Sequence, residues 1–237
     1  MLPSFALSVS DALPPGMLAD RASAVAGLAS GLRNMRHVCV RDDAADPGLL
    51  SLAAVMAEGS GLGVILESDG LDGLSRAAAA LDSPPLLLSL DADQKELIAT
   101  AASAGAGVVV SSPDPRELPA LAALALDAGC PEVVVHPVAS SMKACLESTV
   151  LATRLSPLPV ACRAWSGEYA LALSSVSFLR GGSLAVLDDL DPQACGVLDA
   201  LASNLRGLEF RPRRPLWTLN DAGWMDSHYL FYPPLLY

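Results

Sequence analysis

Charged and polar side chains stand directly after several short apolar runs of this chain, where they could take part in catalysis or binding. His136 follows a run of three valines and is the candidate general acid or base, because an imidazole titrates near neutral pH. Asp42 or Asp188 could orient its ring, and Arg41 or Arg163 could hold an anionic substrate. We therefore take His136, Asp42 and Asp188 as candidate catalytic residues for proton transfer on a small molecule.

A wider set of polar residues occupies equivalent positions, and we assign to it a ligand-binding rim: Arg41, Glu67, Ser89, Asp91, Ser111 and Arg163. A second interpretation is open for the acidic residues, since Asp or Ser before a proline commonly caps the N-terminus of a helix. Asp46, Asp114 and Asp191 fit this capping pattern, whereas the three catalytic candidates could be either structural or functional.

The elements that must position these residues recur along the chain. Eight apolar runs have the length of buried strands and start about 21 to 27 residues apart: His37 to Val40, Leu62 to Leu66, Leu86 to Leu90, Gly107 to Val110, Glu132 to Val135, Pro159 to Cys162, Ser183 to Leu187 and Leu208 to Phe210. The intervening segments are rich in Ala and Leu at helical spacing. Continuous apolar strands that alternate with helices predict a parallel sheet, and eight such units predict a (β/α)8 TIM barrel.

An open, doubly wound sheet is the alternative architecture. The glycine-rich phosphate-binding motif that is usual in such a sheet is absent. Arg41-Asp42-Asp43 follows the first predicted strand in place of a G-x-G-x-x-G turn. In a barrel, the reactive groups lie at the C-terminal ends of the strands. The candidate residues named above should therefore share one rim.

Two segments fall outside the predicted barrel of residues 36–211. Residues 1–35 form an N-terminal extension with a helix from Met17 to Leu32 that could plug the barrel. Residues 212–237 form a tail that is rich in proline and holds six of the eleven aromatic residues of the chain. So much aromatic surface must lie against something, and we assign partner binding to Trp217, Trp224, Tyr229, Phe231 and Tyr232.

Composition excludes several functions. The 237 residues include 15 Lys and Arg against 26 Asp and Glu, a formal charge of -11 without a basic cluster, so binding to nucleic acid or to an anionic membrane is not expected. The longest uncharged stretch, Leu97 to Pro113, contains turn residues and predicts no membrane span, and the N-terminus has no basic signal region. We expect a cytoplasmic protein. The five cysteines show no zinc-binding spacing, so we expect no metal, and Cys39 and Cys162 should be buried in strands.

Four short motifs resemble a known family in their order and spacing. Val40-Arg-Asp-Asp-Ala-Ala-Asp-Pro47 resembles the Arg-Asp-(Asp/Asn)-Ser-Gly-Asp-Pro stretch in the barrel domain of corrinoid iron-sulfur protein subunits of the acetyl-CoA synthase/decarbonylase complex. Gly129 to Pro137 resembles that family's Gly-Val-x-Asp-Ile-Val-Leu-Asp-Pro, with His136 in place of an Asp. Leu184 to Asp191 and Arg211 to Pro215 are similar to two later turns. Ala45 replaces the glycine of the first motif.

The resemblance implies a function in one-carbon metabolism, where the family carries a methyl group on cobalamin. This chain lacks the four-cysteine cluster motif and the cobalamin domain of the large subunit, so the resemblance implies an accessory, non-catalytic barrel that binds no cofactor itself. Cobalamin would then be present only through a corrinoid-binding partner subunit.

Two other interpretations remain open. The pterin-binding methyltransferases have similar barrels, so the chain could bind methyltetrahydrofolate at its strand ends. A homo-oligomeric barrel with unrelated chemistry, such as an aldolase or isomerase, is less well supported, because neither lysine lies at a predicted strand end where it could form a Schiff base.

Overall fold

Eight parallel strands alternate with eight helices in this structure, a computed structural model that describes residues 3–139, 141–164, 169–189 and 191–205. The strands are β1 (Ser4–Ser10), β2 (Met35–Arg41), β3 (Gly63–Glu67), β4 (Leu86–Leu88), β5 (Gly107–Ser112), β6 (Val133–Pro137), β7 (Ala161–Ala164) and β8 (Leu184–Leu187). The helices are α1 (Pro15–Ser30), α2 (Pro47–Glu58), α3 (Leu71–Ala79), α4 (Gln94–Ala104), α5 (Leu118–Asp127), α6 (Met142–Leu155), α7 (Ala170–Leu179) and α8 (Pro192–Asn204). Of the helices in these ranges, none is long and apolar enough to cross a membrane.

The strands pair in the order β6-β5-β4-β3-β2-β1-β8-β7, and every pairing is parallel. Within the described ranges, the two outer strands of this order meet at a single bridge between Val135 and Val160. The sheet is therefore a nearly closed barrel, and the predicted (β/α)8 architecture is confirmed. The seam between β6 and β7 is its least continuous pairing.

The first strand corrects our prediction for the N-terminus. Ser4–Ser10 pairs with β2 on one side and β8 on the other, so residues 1–35 include the first strand and helix of the barrel and are not an extension outside it. The helix predicted as a plug is α1, which packs against β1, β2 and α2 in the outer layer. The segment Leu208 to Phe210, which we predicted as the eighth strand, lies outside the described residues.

Alternation along the strands divides the core into two layers. The inner layer fills the barrel with small and branched side chains: Ala6, Cys39, Ile65, Leu86, Leu88, Val109, Val134, Ala161, Leu184 and Val186. The outward-facing residues of the same strands, such as Phe5, Leu7 and Val9 of β1, pack under the helices in a second and larger cluster. Apolar burial on both faces explains the continuous apolar runs of the sequence. Both Cys39 and Cys162 are buried, as predicted.

Candidate functional site

The inner layer changes from apolar to polar toward the C-terminal ends of the strands. Because side chains alternate along a strand, the residue two positions after each inner-layer residue also faces the barrel interior. Cys39 is followed by Arg41, Ile65 by Glu67, Val134 by His136 and Ala161 by Arg163. The predicted rim residues therefore do converge on one end of the barrel.

Arg163 of β7 is the centre of this polar layer. Its side chain is only 3% exposed, and its Nε donates to Oε1 of Glu67 across the barrel at 3.1 Å. One terminal nitrogen donates to Asp188, and the other donates to the Val186 carbonyl at 3.4 Å. Burial alone would lower the pKa of this guanidinium, but the charges of Glu67, Cys39 and Asp188 raise it. Arg163 is therefore a permanent buried cation that joins β3, β7 and β8.

Arg41 of β2 extends the network toward solvent. Its Nε donates to Asp43 at 2.7 Å, and one terminal nitrogen donates to Asp188 at 2.9 Å. With Glu67 and Arg163, the network contains two cations and three carboxylates, a formal charge of -1. An acidic mouth of this kind disfavours a strongly anionic ligand such as a phosphate ester.

His136 lies beside this network and is 5% exposed. Its Nδ1 is 3.3 Å from the hydroxyl of Ser111 on the neighbouring strand. Burial, together with the positive charge of Arg163, lowers the pKa of His136 to about 4. The ring is therefore neutral at pH 7, so at that pH it can donate or accept a hydrogen bond but has no proton to give as an acid.

The predicted orientation of His136 by a carboxylate is not what the geometry shows, since the Nδ1 neighbour is Ser111. Asp188 is instead bound by the two arginines of the network. Asp42 accepts a hydrogen bond from Ser68 at 2.6 Å and so fixes the loop after β3. Both carboxylates therefore already accept hydrogen bonds from side chains other than the imidazole.

The capping interpretation holds for two of the three residues that fitted its pattern. The Asp46 side chain accepts from the Gly48 amide at the start of α2, and Asp191 accepts from two amides at the start of α8. Asp114 accepts from the Arg116 amide in the turn that precedes α5, whose N-cap residue is Glu117.

The remaining rim residues lie around β4, away from the arginines. Ser89 is buried and donates to Asp69 at 2.8 Å, and the exposed Asp91 places its backbone amide 3.3 Å from the same carboxylate. These contacts hold the loop after β4 in place. The tail residues to which we assigned partner binding, Trp217, Trp224, Tyr229, Phe231 and Tyr232, lie outside the described residues.

A cavity of about 410 Å³ opens beside the network, at the C-terminal ends of β6 and β7. Its polar wall contains His136 and Arg163. Its apolar wall is formed by the loop after β4, by β6 and the loop after it, by α6 and by the start of α7: Leu90, Pro137, Val138, Ala139, Met142, Ala170 and Leu173. Ser141 and Cys145 complete the lining, and Tyr169, which is 69% exposed, stands at its edge. The size and the few polar groups are typical of a small-molecule site.

Sequence reasoning missed two parts of this region. Asp11 follows β1, is 1% exposed, and accepts hydrogen bonds from the amides of Asp43 and Ala44 at 2.8 and 2.9 Å. Burial raises its pKa. The alternation of Phe5, Leu7 and Val9 with serines was the signal for the strand before it. The cavity wall on α6 and α7 gave no such signal, because its residues come from segments that are separated in the sequence.

The low pKa of His136 makes stability depend on pH. An unfolded histidine titrates near 6.5, so between pH 6.5 and about 4 the unfolded chain binds more protons than the folded one. The stabilisation by the neutral ring is complete above pH 6.5 and is lost as the pH falls toward 4. The unaltered protein should lose roughly 3 kcal/mol of unfolding free energy over this range. His136→Gln should not show this loss. Urea titrations of both proteins at pH 7 and pH 4.5 measure the difference; equal pH dependence would contradict a buried neutral ring.

Comparison with known proteins rests on structure alone. No protein-family model matches the chain, and no curated protein is similar to it in sequence. Among solved structures, dihydropteroate synthase (FolP) from Thermus thermophilus superposes with a TM-score of 0.65 and 18% identity, covering 84% of this chain and 94% of the other. The fold is that of the dihydropteroate synthases. The enzyme from Xanthomonas albilineans, in complex with 7,8-dihydropteroate, gives a TM-score of 0.68 at 12% identity over 88% of this chain and 94% of the other.

The same fold also supports other chemistry. Phospho-2-dehydro-3-deoxyheptonate aldolase from Thermotoga maritima has a TM-score of 0.66 at 14% identity, with 86% of this chain and 68% of the other covered. At such identities the likeness to a dihydropteroate synthase establishes the barrel and leaves the ligand to be argued from the site.

Proposed function

We propose that this barrel binds a pterin-type heterocycle, such as a reduced folate, in the cavity at the ends of β6 and β7, and that it functions in methyl-transfer chemistry of one-carbon metabolism. The observation that carries the proposal is the pairing of His136 and Arg163 on one wall of an otherwise apolar cavity. The dihydropteroate synthases of the same fold support it, since their structures include complexes with a hydroxymethylpterin phosphate and with dihydropteroate.

The two polar groups complement the edge of a pterin ring. Three of the five guanidinium N–H groups of Arg163 are used by Glu67, Asp188 and the Val186 carbonyl, which leaves donors for a ligand carbonyl. In the tautomer of His136 that donates from Nδ1 to Ser111, Nε2 accepts a hydrogen bond. A carbonyl next to a ring N–H, as on the pyrimidine ring of a pterin, presents an acceptor to Arg163 and a donor to His136.

The apolar wall suits the rest of such a ligand. Met142 and Leu173 provide contact surface for a flat ring, and Tyr169 at the edge of the cavity can stack on it. The acidic network beside the cavity favours a ligand without a phosphate group. The proposed ligand is therefore a non-phosphorylated pterin.

The residues of the site bind and orient, and they do not supply a proton at neutral pH. His136, neutral because of its lowered pKa, cannot act there as the general acid that we considered from the sequence. Burial in the cavity would exclude water from the ring. This arrangement fits a protein that presents a methyl donor to an acceptor.

Calorimetry with 5-methyltetrahydrofolate and with 6-hydroxymethylpterin tests the proposal. We expect both to bind, and we expect the monophosphate of the latter to bind at least about tenfold more weakly, because of charge repulsion at the acidic mouth. His136→Leu should weaken binding by about tenfold, the usual effect of losing one buried hydrogen bond.

Asp91→Asn is the matched control for this experiment, since Asp91 belongs to the same rim but does not line the cavity. It should bind as the unaltered protein does. Absence of binding at millimolar ligand, or an equal loss in both variants, would remove the cavity as the pterin site.

A second candidate function is the accessory barrel of a corrinoid-dependent methyl-transfer complex. One observation favours it: Ala45 has a φ of 52°, a left-handed conformation that favours glycine, at the position where the resembled motif has glycine. A left-handed residue at this position is compatible with the glycine of the resembled motif. Purification of the native complex tests this function. A partner with a corrinoid absorption spectrum is expected, and a chain that purifies without one counts against it.

A further inference from the structure

We propose that Cys145 and Cys162 form a thiol modification site, in which Cys145 reacts with hydroperoxides that enter the cavity and Cys162 closes a disulfide with it. The two sulfur atoms are 3.6 Å apart. Cys145 lies on α6, and Cys162 lies on β7 with its side chain facing the helix layer. Formation of the bond requires the sulfurs to approach from this distance to about 2.05 Å.

Access distinguishes the two thiols. Cys145 lines the cavity, whereas Cys162 does not and is only 1% exposed. A small molecule in the cavity therefore meets the sulfur of Cys145 first. The chain's own geometry assigns Cys145 as the attacking thiol and Cys162 as the resolving one.

The surroundings stabilise negative charge on sulfur. A hydrogen bond from Cys162 lowers the pKa of Cys145 to about 7, and the same contact raises the pKa of Cys162. The Thr149 hydroxyl lies next to Cys145, and the Ser177 hydroxyl lies next to Cys162; each lowers the pKa of its neighbour. Both hydroxyls, and that of Ser174, are buried and have no other hydrogen-bond partner among the described residues. Buried hydroxyls without a hydrogen-bond partner are uncommon in folded proteins, and a redox or catalytic role is one explanation for them.

The chemistry balances with a hydroperoxide as oxidant. The Cys145 thiolate attacks the terminal oxygen, the O–O bond breaks, and the alkoxide or hydroxide that leaves takes a proton from water. Cys145 is then a sulfenic acid. The Cys162 sulfur attacks it, the S–S bond forms as the S–O bond breaks, and hydroxide leaves with the Cys162 proton as water. The two thiols thus supply the two electrons that reduce the peroxide.

Competitive alkylation of the folded protein tests the first half of the proposal. At pH 7 a thiol with a pKa of about 7 is about 16-fold more ionised than free cysteine, whose pKa is near 8.5, and its lower nucleophilicity reduces this to a rate advantage of roughly three- to fourfold. Limited iodoacetamide treatment followed by peptide mass mapping should label Cys145 before Cys130 and Cys195, two buried cysteines that do not line the cavity. Equal labelling of the three would overturn the proposal.

Oxidation tests the second half. Stoichiometric hydrogen peroxide should give a peptide pair linked through Cys145 and Cys162, two hydrogens lighter than the reduced pair. Cys162→Ser should instead accumulate a sulfenic acid that dimedone traps at Cys145, and Cys195→Ser should still form the disulfide. No such link, or links distributed among all five cysteines, would overturn the proposal. These readouts require no pterin, so they are independent of the proposed ligand.

Discussion

A chain shortened to residues 36–237 is expected to lose the barrel. Its removed segment includes β1, which pairs with both β2 and β8 in the middle of the sheet order. Without it, the barrel has two new unpaired edges, and the apolar residues of β2, β8 and α2 that pack against β1 and α1 are exposed. The shortened protein should be insoluble or should unfold without a cooperative transition, as followed by circular dichroism during urea titration.

A pair of point variants gives a finer measurement of the same effect. Phe5 of β1 is 0% exposed, so Phe5→Ala should lower the free energy of unfolding by about 3–5 kcal/mol. Met17→Ala, on the same N-terminal segment but 58% exposed, should change it by less than about 0.5 kcal/mol. If residues 1–35 were an extension outside the barrel, both variants would be near neutral and the shortened chain would fold.

Replacement of Arg163 should also lower the free energy of unfolding strongly. Arg163→Met keeps most of the side-chain volume but leaves the carboxylates of Glu67 and Asp188 without their buried cation. Removing one partner of a buried ion pair typically lowers the free energy of unfolding by about 3–5 kcal/mol, because the remaining charge stays in a low-dielectric environment without its partner. Urea unfolding at pH 7 should show a loss of this size.

Arg41→Met is the matched control, since Arg41 shares Asp188 but its side chain is 35% exposed. It should cost about 1 kcal/mol or less. Adding Glu67→Gln to Arg163→Met should recover part of the loss, because it removes one of the unpaired charges. A single Arg163 variant as stable as the Arg41 variant would show that the network does not hold the barrel mouth together.

The repeating pattern of the barrel was readable from the sequence because its strands are buried on both faces. Seven of the eight predicted runs coincide with strands β2 to β8 or their immediate flanks. The first strand was missed because Ser4, Ser8 and Ser10 face the narrow interior, so its pattern alternates where the other strands are continuously apolar. The remaining predicted run, Leu208 to Phe210, lies outside the described residues.

The sequence predicted which residues form the candidate site but not which of them bind each other. The rule that reactive groups follow the strands brought together Arg41, Glu67, Ser111, His136 and Arg163, all of which the structure places at one mouth. Which acid meets which base depends on strand register across the barrel, which no local pattern encodes. Of the two carboxylates proposed to orient His136, Asp188 is bound by Arg163 and Asp42 is bound by Ser68. The cavity was not predicted, because its lining comes from separate segments, mainly β6 and the loop after it, α6 and the start of α7, and no pattern within one segment marks them as a common wall.

The single bridge between Val135 and Val160 makes β6 and β7 the point at which the barrel opens most easily. Backbone amides along this seam should exchange with solvent before those of β1 to β5. His136 and Arg163 stand on the two sides of the seam, so a molecule that bonds to both acts as an additional rung between the strands. A ligand in the cavity would then stabilise the pairing of β6 with β7. Its binding should be measurable as slower amide exchange in these two strands.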